Sequence, residues 1–161
     1  MMNPPGSNFA PSPSAGPLQD NLYLVASLDH LSWALPVSQV IEVMRPLPVA
    51  PAPGAPGAVA GTAMIRGEPT PIVDLRRLVG AAPSPPSRFI VVRAERRRVA
   101  LAVDHVPGVE RIPPGALEAA PHLLSRAAPD ALEAVTSLHG ELLHILRSAR
   151  LIPGSLAALP T

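Results

Sequence analysis

The sequence predicts an all-β chain built from two similar subdomains, and two observations carry that expectation. Apolar runs of strand length recur between Gly- and Pro-bearing breaks, and many short strands of this kind indicate a barrel or a sandwich. The second half of the chain also repeats the pattern of the first. Tyr23-Leu24-Val25 overlies Phe89-Ile90-Val91, and Val37, Val40 and Val43 overlie Val103, Val106 and Val109; 89 minus 23 and 103 minus 37 both give 66. Farther on, Ile65-Arg66-Gly67-Glu68 with Ile72-Val73 overlies Leu138-His139-Gly140-Glu141 with Ile145-Leu146, where 140 minus 67 gives 73. The second half therefore carries a connection longer by seven residues, and Leu78-Val79 over Leu151-Ile152 keeps the new register.

Taken in order, residues 1–20 are rich in Pro, Ser, Gly and Ala and read as a disordered tail, because such a segment buries too little surface to offset its ordering entropy. Asn21 to Leu28 and Ser32 to Val37 read as strands around a turn at Asp29-His30. Val37, Val40, Ile41 and Met44 fall at helical spacing, with Pro36 suited to a first turn, yet Val40 to Met44 equally suits a strand. Spacing alone does not decide between them. Pro46 to Pro56 interrupts regular structure, and a second hairpin turns at Gly67. Asp74 is placed to cap a short helix, Leu75 to Val79, with Gly80 at its end. Ala81 to Ser87 joins the halves, 21–80 and 88–152, of one domain spanning 21–153 and followed by a tail, 154–161. In the second half Arg88 to Ala94 and Arg98 to Asp104 flank a turn at Glu95 to Arg97. There the large Val99, Leu101 and Val103 alternate with Ala100 and Ala102, as befits a strand between a tightly curved sheet and its neighbour. The second-half hairpin turns at Gly140, and Ser148 is the expected cap of a last short turn.

Composition excludes several functions. Net charge is +1 and all 13 basic residues are arginine, so a concentrated basic face for nucleic acid is absent; Arg96-Arg97-Arg98 reads as a solvated turn. No cysteine is present, which removes disulfides, thiolate nucleophiles and Cys-based zinc sites. No apolar stretch approaches the roughly 18 residues needed to cross a bilayer, and the N-terminus has no signal-peptide pattern, so a cytoplasmic chain without direct membrane insertion is expected. His139 and His144 are five apart and not at the i, i+4 spacing of a zinc helix, and no nucleophile elbow or phosphate loop occurs. No catalytic centre, metal site or cofactor is expected. A small barrel that binds single-stranded nucleic acid would need aromatic stacking platforms, and the chain offers Phe9, Tyr23, Trp33 and Phe89. One of these falls in the tail and two in apolar strands.

The run Gly61-Thr-Ala-Met-Ile-Arg66-Gly67-Glu-Pro-Thr-Pro71-Ile72-Val73-Asp74-Leu75 resembles the signature of the CheW-like domain of bacterial chemotaxis systems. Ala34-Leu35-Pro36-Val37 with Val40-Ile41-Glu42-Val43, the connection Val49 to Pro56, and Val99 to Val109 follow the family pattern in the same order. The resemblance covers about residues 20–152. It implies two pseudo-symmetric five-stranded SH3-like β-barrel subdomains around a shared hydrophobic interface, with short helices. It also implies a non-enzymatic adaptor that couples the cytoplasmic tips of methyl-accepting chemoreceptors to the regulatory domain of a CheA-type histidine kinase, within a cytoplasmic receptor array. Carried over by position, Val40, Glu42, Arg66 and Val106 match family positions for receptor or kinase contact. Val40 and Val106 equally suit core packing, Glu42 a solvated position, and Arg66 an ion pair with an acid such as Asp74. Met64, Ala134 and Arg147 depart from the family pattern, which leaves open a diverged β-barrel module serving a non-chemotactic array or nucleic acid.

Overall fold

The computed structural model describes residues 21–29, 31–55, 57–119, 132–147 and 151. The N-terminal tail, the 154–161 tail, His30 of the first turn and the Ser148 cap lie outside these residues. The strands are β1 (Leu22–Leu28), β2 (Leu31–Pro36), β3 (Val40–Met44), β4 (Val59–Ile65), β5 (Glu68–Asp74), β6 (Arg88–Ala94), β7 (Arg97–Val103), β8 (His105–Arg111), β9 (Glu118–Ala119), β10 (Leu132–Leu138) and β11 (Glu141–Leu146). Among the described residues one α-helix, α1, spans Leu75–Val79; the Asp74 carboxylate accepts from the Arg76 amide at 2.9 Å, and Gly80 ends the helix at φ 76°. Among the described residues no helix is long and apolar enough to cross a membrane. The segment that fitted both a helix and a strand divides: Val37–Gln39 forms a single 3-10 turn and Val40–Met44 is β3. The β-branched side chains of Val40, Ile41 and Val43 suit extension.

Six strands form one sheet, in the order β8-β1-β2-β11-β10-β9, and five form the other, β3-β6-β7-β5-β4. Substituting each strand by its repeat mate converts one order into the other, leaving only the two-residue β9 unmatched. The repeat thus governs the topology, but neither sheet is made from one half alone. The first hairpin of each half sits in the middle of the sheet completed by the other half. The registers repeat as well: Tyr23↔Pro36 in β1–β2 becomes Phe89↔Ala102 in β6–β7, and Ile65↔Glu68 in β4–β5 becomes Leu138↔Glu141 in β10–β11. A bulge between Val59 and Gly61 recurs between Leu132 and Ala134. The hairpin turns match in backbone conformation, with Arg66 and Gly67 at φ 52° and 80° and His139 and Gly140 at 52° and 82°. Two consecutive positive φ values belong to the primed two-residue turns that follow the twist of paired strands.

Where closed five-stranded barrels are expected, the ladders describe open sheets. In the five-stranded sheet, end strands β3 and β4 share no ladder. They are spanned instead by the chain after β3, through an isolated bridge in which Ala50 and Thr62 exchange hydrogen bonds of 2.8 and 2.9 Å.

Both faces of each sheet are apolar, and they bury different cores. Leu24, Ala26 and Leu28 of β1 join Ile90, Val92 and Ala94 of β6 in one cluster shared by the two sheets. Their alternating neighbours Tyr23 and Val25 face the six-stranded sheet's own inner cluster, and Phe89 and Val91 that of the five-stranded sheet. The large–small alternation of β7 is explained here: Val99, Leu101 and Val103 fill the shared core, while Ala100 and Ala102 line the tight interior of the curved sheet. Burial of a Phe89- or Ile90-sized side chain contributes about 1.5–3 kcal/mol each.

Candidate protein-interaction site

Two of the four positions singled out in the sequence meet. Arg66, in the β4–β5 turn, donates from Nε to Glu42 Oε2 at 3.2 Å and from Nη2 to Oε1 at 2.8 Å. The bulge between Val40 and Glu42 pairs Glu42 with Val91, whose side chain belongs to the inner cluster, so Glu42 lies at the mouth of that curved interior. Glu42 and Arg66 come from the two ends of one sheet, and their fork closes the mouth across the gap. The Arg66 side chain is 68% exposed and that of Glu42 22%. Asp74 is not the partner of Arg66, since its carboxylate serves as the cap of α1 and lies 3.7 Å from Arg77. Val43, 40% exposed, and Met64, 63% exposed, place apolar surface on the two strands that carry the pair.

The hydrogen bonds from Arg66 hold the Glu42 carboxyl below its ordinary value of 4.5, and Glu42 in turn raises the guanidinium. A depressed carboxyl contributes stability above its unfolded value, and that contribution is lost as pH falls through the folded value. The thermal midpoint of Glu42→Gln is therefore expected to lie below that of the parent by at most about 2 °C near neutrality. The difference should close below about pH 4.5. Paired melting curves from pH 7 to pH 3 test this, and a difference that grows in acid would contradict the assignment.

Val40 and Val106 occupy repeat-equivalent positions on β3 and β8, each half-buried against the shared core. They stand where the chain crosses from one sheet to the other: β2 passes to β3 through the 3-10 turn, and β7 passes to β8 at Asp104. Val40 pairs with Val92, on the shared-core face, whereas Glu42 pairs with Val91 on the opposite face. Val40 and Glu42 thus lie on opposite faces of β3, Glu42 toward the mouth it shares with Arg66 and Val40 toward the shared core, while Val106 holds the matching position on β8 of the other sheet.

Sequence reasoning missed a second charged cluster, in which one arginine meets two carboxylates. Arg76 of α1 is 6% exposed; it donates from Nε and Nη2 to Asp104 at 3.2 and 2.5 Å, from Nη1 and Nη2 to Asp29 at 3.3 and 2.9 Å, and from Nη1 to Ala82 O at 2.9 Å. Its hydrogen bonds to Asp104 and then to Asp29 raise its pKa further, so it stays charged. The signal was a break in the repeat, because the equivalent position in the second half is Ala149. Among the described residues no three of His, Asp or Glu converge as metal ligands; His144 is 6% exposed within β11, while the His139 side chain is 76% exposed in its turn.

The family model of the CheW-like domain matches residues 22–155. A search of curated proteins finds no match. Among solved structures, the crystal structure of the scaffolding protein TtCheW from Thermoanaerobacter tengcongensis is similar, with a TM-score of 0.72 at 23% identity over 80% of this chain and 89% of that one. At that identity the likeness concerns the fold.

Proposed function

Because the chain belongs to the CheW-like domain family, we propose that it is a non-enzymatic cytoplasmic adaptor in chemotaxis-like signalling. It couples the tips of methyl-accepting chemoreceptors to the regulatory domain of a CheA-type histidine kinase, and it works by binding alone. The observation that carries this reading beyond family membership is the Glu42–Arg66 fork at the mouth of the sheet, with exposed Val43 and Met64 on the strands that lead to it. The charged pair provides direction, and the apolar surface on the same strands provides contact area. Each curled sheet, with its crossing segment, acts as an SH3-like barrel, and the seam at Val40 and Val106 offers an apolar stripe to a receptor helix. Tyr23, Trp33 and Phe89 are 7%, 4% and 0% exposed, so they give no stacking platform to a nucleic acid.

Arg66→Glu tests the reading. It sets two carboxylates together at the mouth while leaving the turn's hydrogen bonds in place. Kinase activation in a reconstituted receptor–adaptor–kinase assay should fall by at least about tenfold, with the circular dichroism spectrum unchanged. Undiminished activation would remove Arg66 from the contact. Failure of the parent protein to bind the regulatory domain at high micromolar concentration would remove the kinase as partner.

A further inference from the structure

The repeat exposes a place where one half is filled and the other empty. Gly108 stands at the position of Glu42, since 108 minus 42 is again 66, and His139 stands at that of Arg66, 139 minus 66 being 73. Gly108 pairs with Val25 as Glu42 pairs with Val91, and both valines belong to the inner clusters. With no side chain at 108 and a shorter one at 139, the mouth that a glutamate–arginine fork closes in one sheet stays open in the other. A pocket of about 260 Å³ lies there, its lining including Val25, Val109, Leu138, Leu142, Glu110 and Glu141. A Cβ built on Gly108 would meet nothing within 4 Å. Val109 and Leu142 on the rim are 50% and 43% exposed.

We propose that this pocket receives an arginine side chain from a partner protein. The apolar walls suit the three-methylene stem of arginine, and the carboxylates of Glu110 and Glu141 suit its planar fork. An acidic side chain would be repelled by both carboxylates, and a purely apolar one would leave them unmatched at the rim. The chain's own answer to the equivalent gap is the same chemistry, a guanidinium in bidentate contact with a glutamate. His139 satisfies this only weakly, with Nε2 3.8 Å from Glu110 Oε1 and a charge only when the ring is protonated. The pocket lies on the sheet that does not carry the Glu42–Arg66 contact, so the inference does not rest on the coupling role proposed above.

The test is a nuclear magnetic resonance titration of the labelled full chain with the blocked tripeptide acetyl-Leu-Arg-Leu-amide, and with the same peptide carrying citrulline, which is neutral, in place of arginine. The arginine peptide should shift the Gly108 amide and the methyl groups of Val109, Leu138 and Leu142 saturably, with the citrulline peptide at least about tenfold weaker. His139→Arg should weaken binding at least about fivefold by bringing a guanidinium of the chain's own to Glu110. Position 139 accepts arginine, because His139 and Arg66 share φ 52°. Arg66→Glu should leave the peptide affinity unchanged, which separates failure here from failure of the coupling contact. Absence of shifts up to about 10 mM peptide, equal binding of the two peptides, or shifts confined to the Glu42–Arg66 mouth would overturn the proposal. Shifts of the same resonances on raising the chain's own concentration would also overturn it, in favour of a second copy as occupant.

Discussion

Gly61→Ala is expected to lower the thermal midpoint by about 6–20 °C, the largest effect of a Gly→Ala change among the described glycines. Gly61 sits at the β4 bulge with φ 150°, a conformation that L side chains rarely adopt. A Cβ there would lie 2.1 Å from Ala50 O and 2.9 Å from both Ala50 C and Val49 Cγ1. The obstructing atoms are mainly backbone and cannot swing aside as a side chain could. Ala50 is fixed by its two hydrogen bonds to Thr62, so relief of the clash requires breaking the bridge that spans the two end strands. Strain of about 1–3 kcal/mol, added to about 1 kcal/mol for each hydrogen bond lost, places the cost near 3–5 kcal/mol. Gly67→Ala supplies the control: it shares the conformational problem at φ 80° but meets nothing within 4 Å. It should cost about 1 kcal/mol, or 2–4 °C. Calorimetric melting of both variants decides the matter, and equal midpoints would show that close approach of the backbones does not limit position 61.

Much of this architecture is legible in the sequence because it depends on local and repetitive features. The β7 alternation of large and small residues reports a strand with two different apolar faces, and the structure fills those faces with two different cores. Asp74 and Gly80 bound α1 because a carboxylate cap and a left-handed terminus are local requirements. The repeat, read from offsets of 66 and 73, reappears in strand order, register and turn conformation. What the repeat could not reveal is which half completes which sheet. A hairpin of identical internal register fits beside the remaining strands of its own half or of the other, and the exchange is decided by long-range packing on the shared core. The Glu42–Arg66 fork was only half visible. Both residues stood out by family position, but their pairing depends on the bulge that turns Glu42 toward Val91, and a bulge leaves no periodic trace. Gly108 and His139 carried a signal in the form of departures from the repeat. Their consequence, an open pocket, appears only once the matching mouth is seen to be closed.

Arg76→Met is expected to lower the thermal midpoint by about 5–10 °C, although the substitution lies far from the charged mouth and keeps helical propensity and most of the side-chain volume. Arg76 ties α1, at the end of the five-stranded sheet's β5, to Asp29 in the β1–β2 turn of the other sheet and to Asp104 where β7 crosses to β8. It also holds the joint between the halves through Ala82 O. Methionine would fill the space but satisfy none of these acceptors, leaving Asp104, whose side chain is only 25% exposed, beside an apolar group. Asp29 is 57% exposed and recovers water, so Asp29→Asn should cost less than half as much as Arg76→Met. This ordering separates a clamp from a mere increment of surface charge. If Arg76 acted only by balancing net charge, removing either partner would matter about equally and salt would erase both effects. A clamp between sheets predicts a further consequence: Arg76→Met should raise amide hydrogen exchange at the crossings around Val40 and Val106 before it does so in β6 and β7. Those crossings hold the half-buried Val40 and Val106, whereas Ile90 of β6 and Leu101 of β7 are fully buried in the shared core. Exchange that rises uniformly across both sheets would instead mean that Arg76 contributes only to global stability and does not set the geometry of the seam.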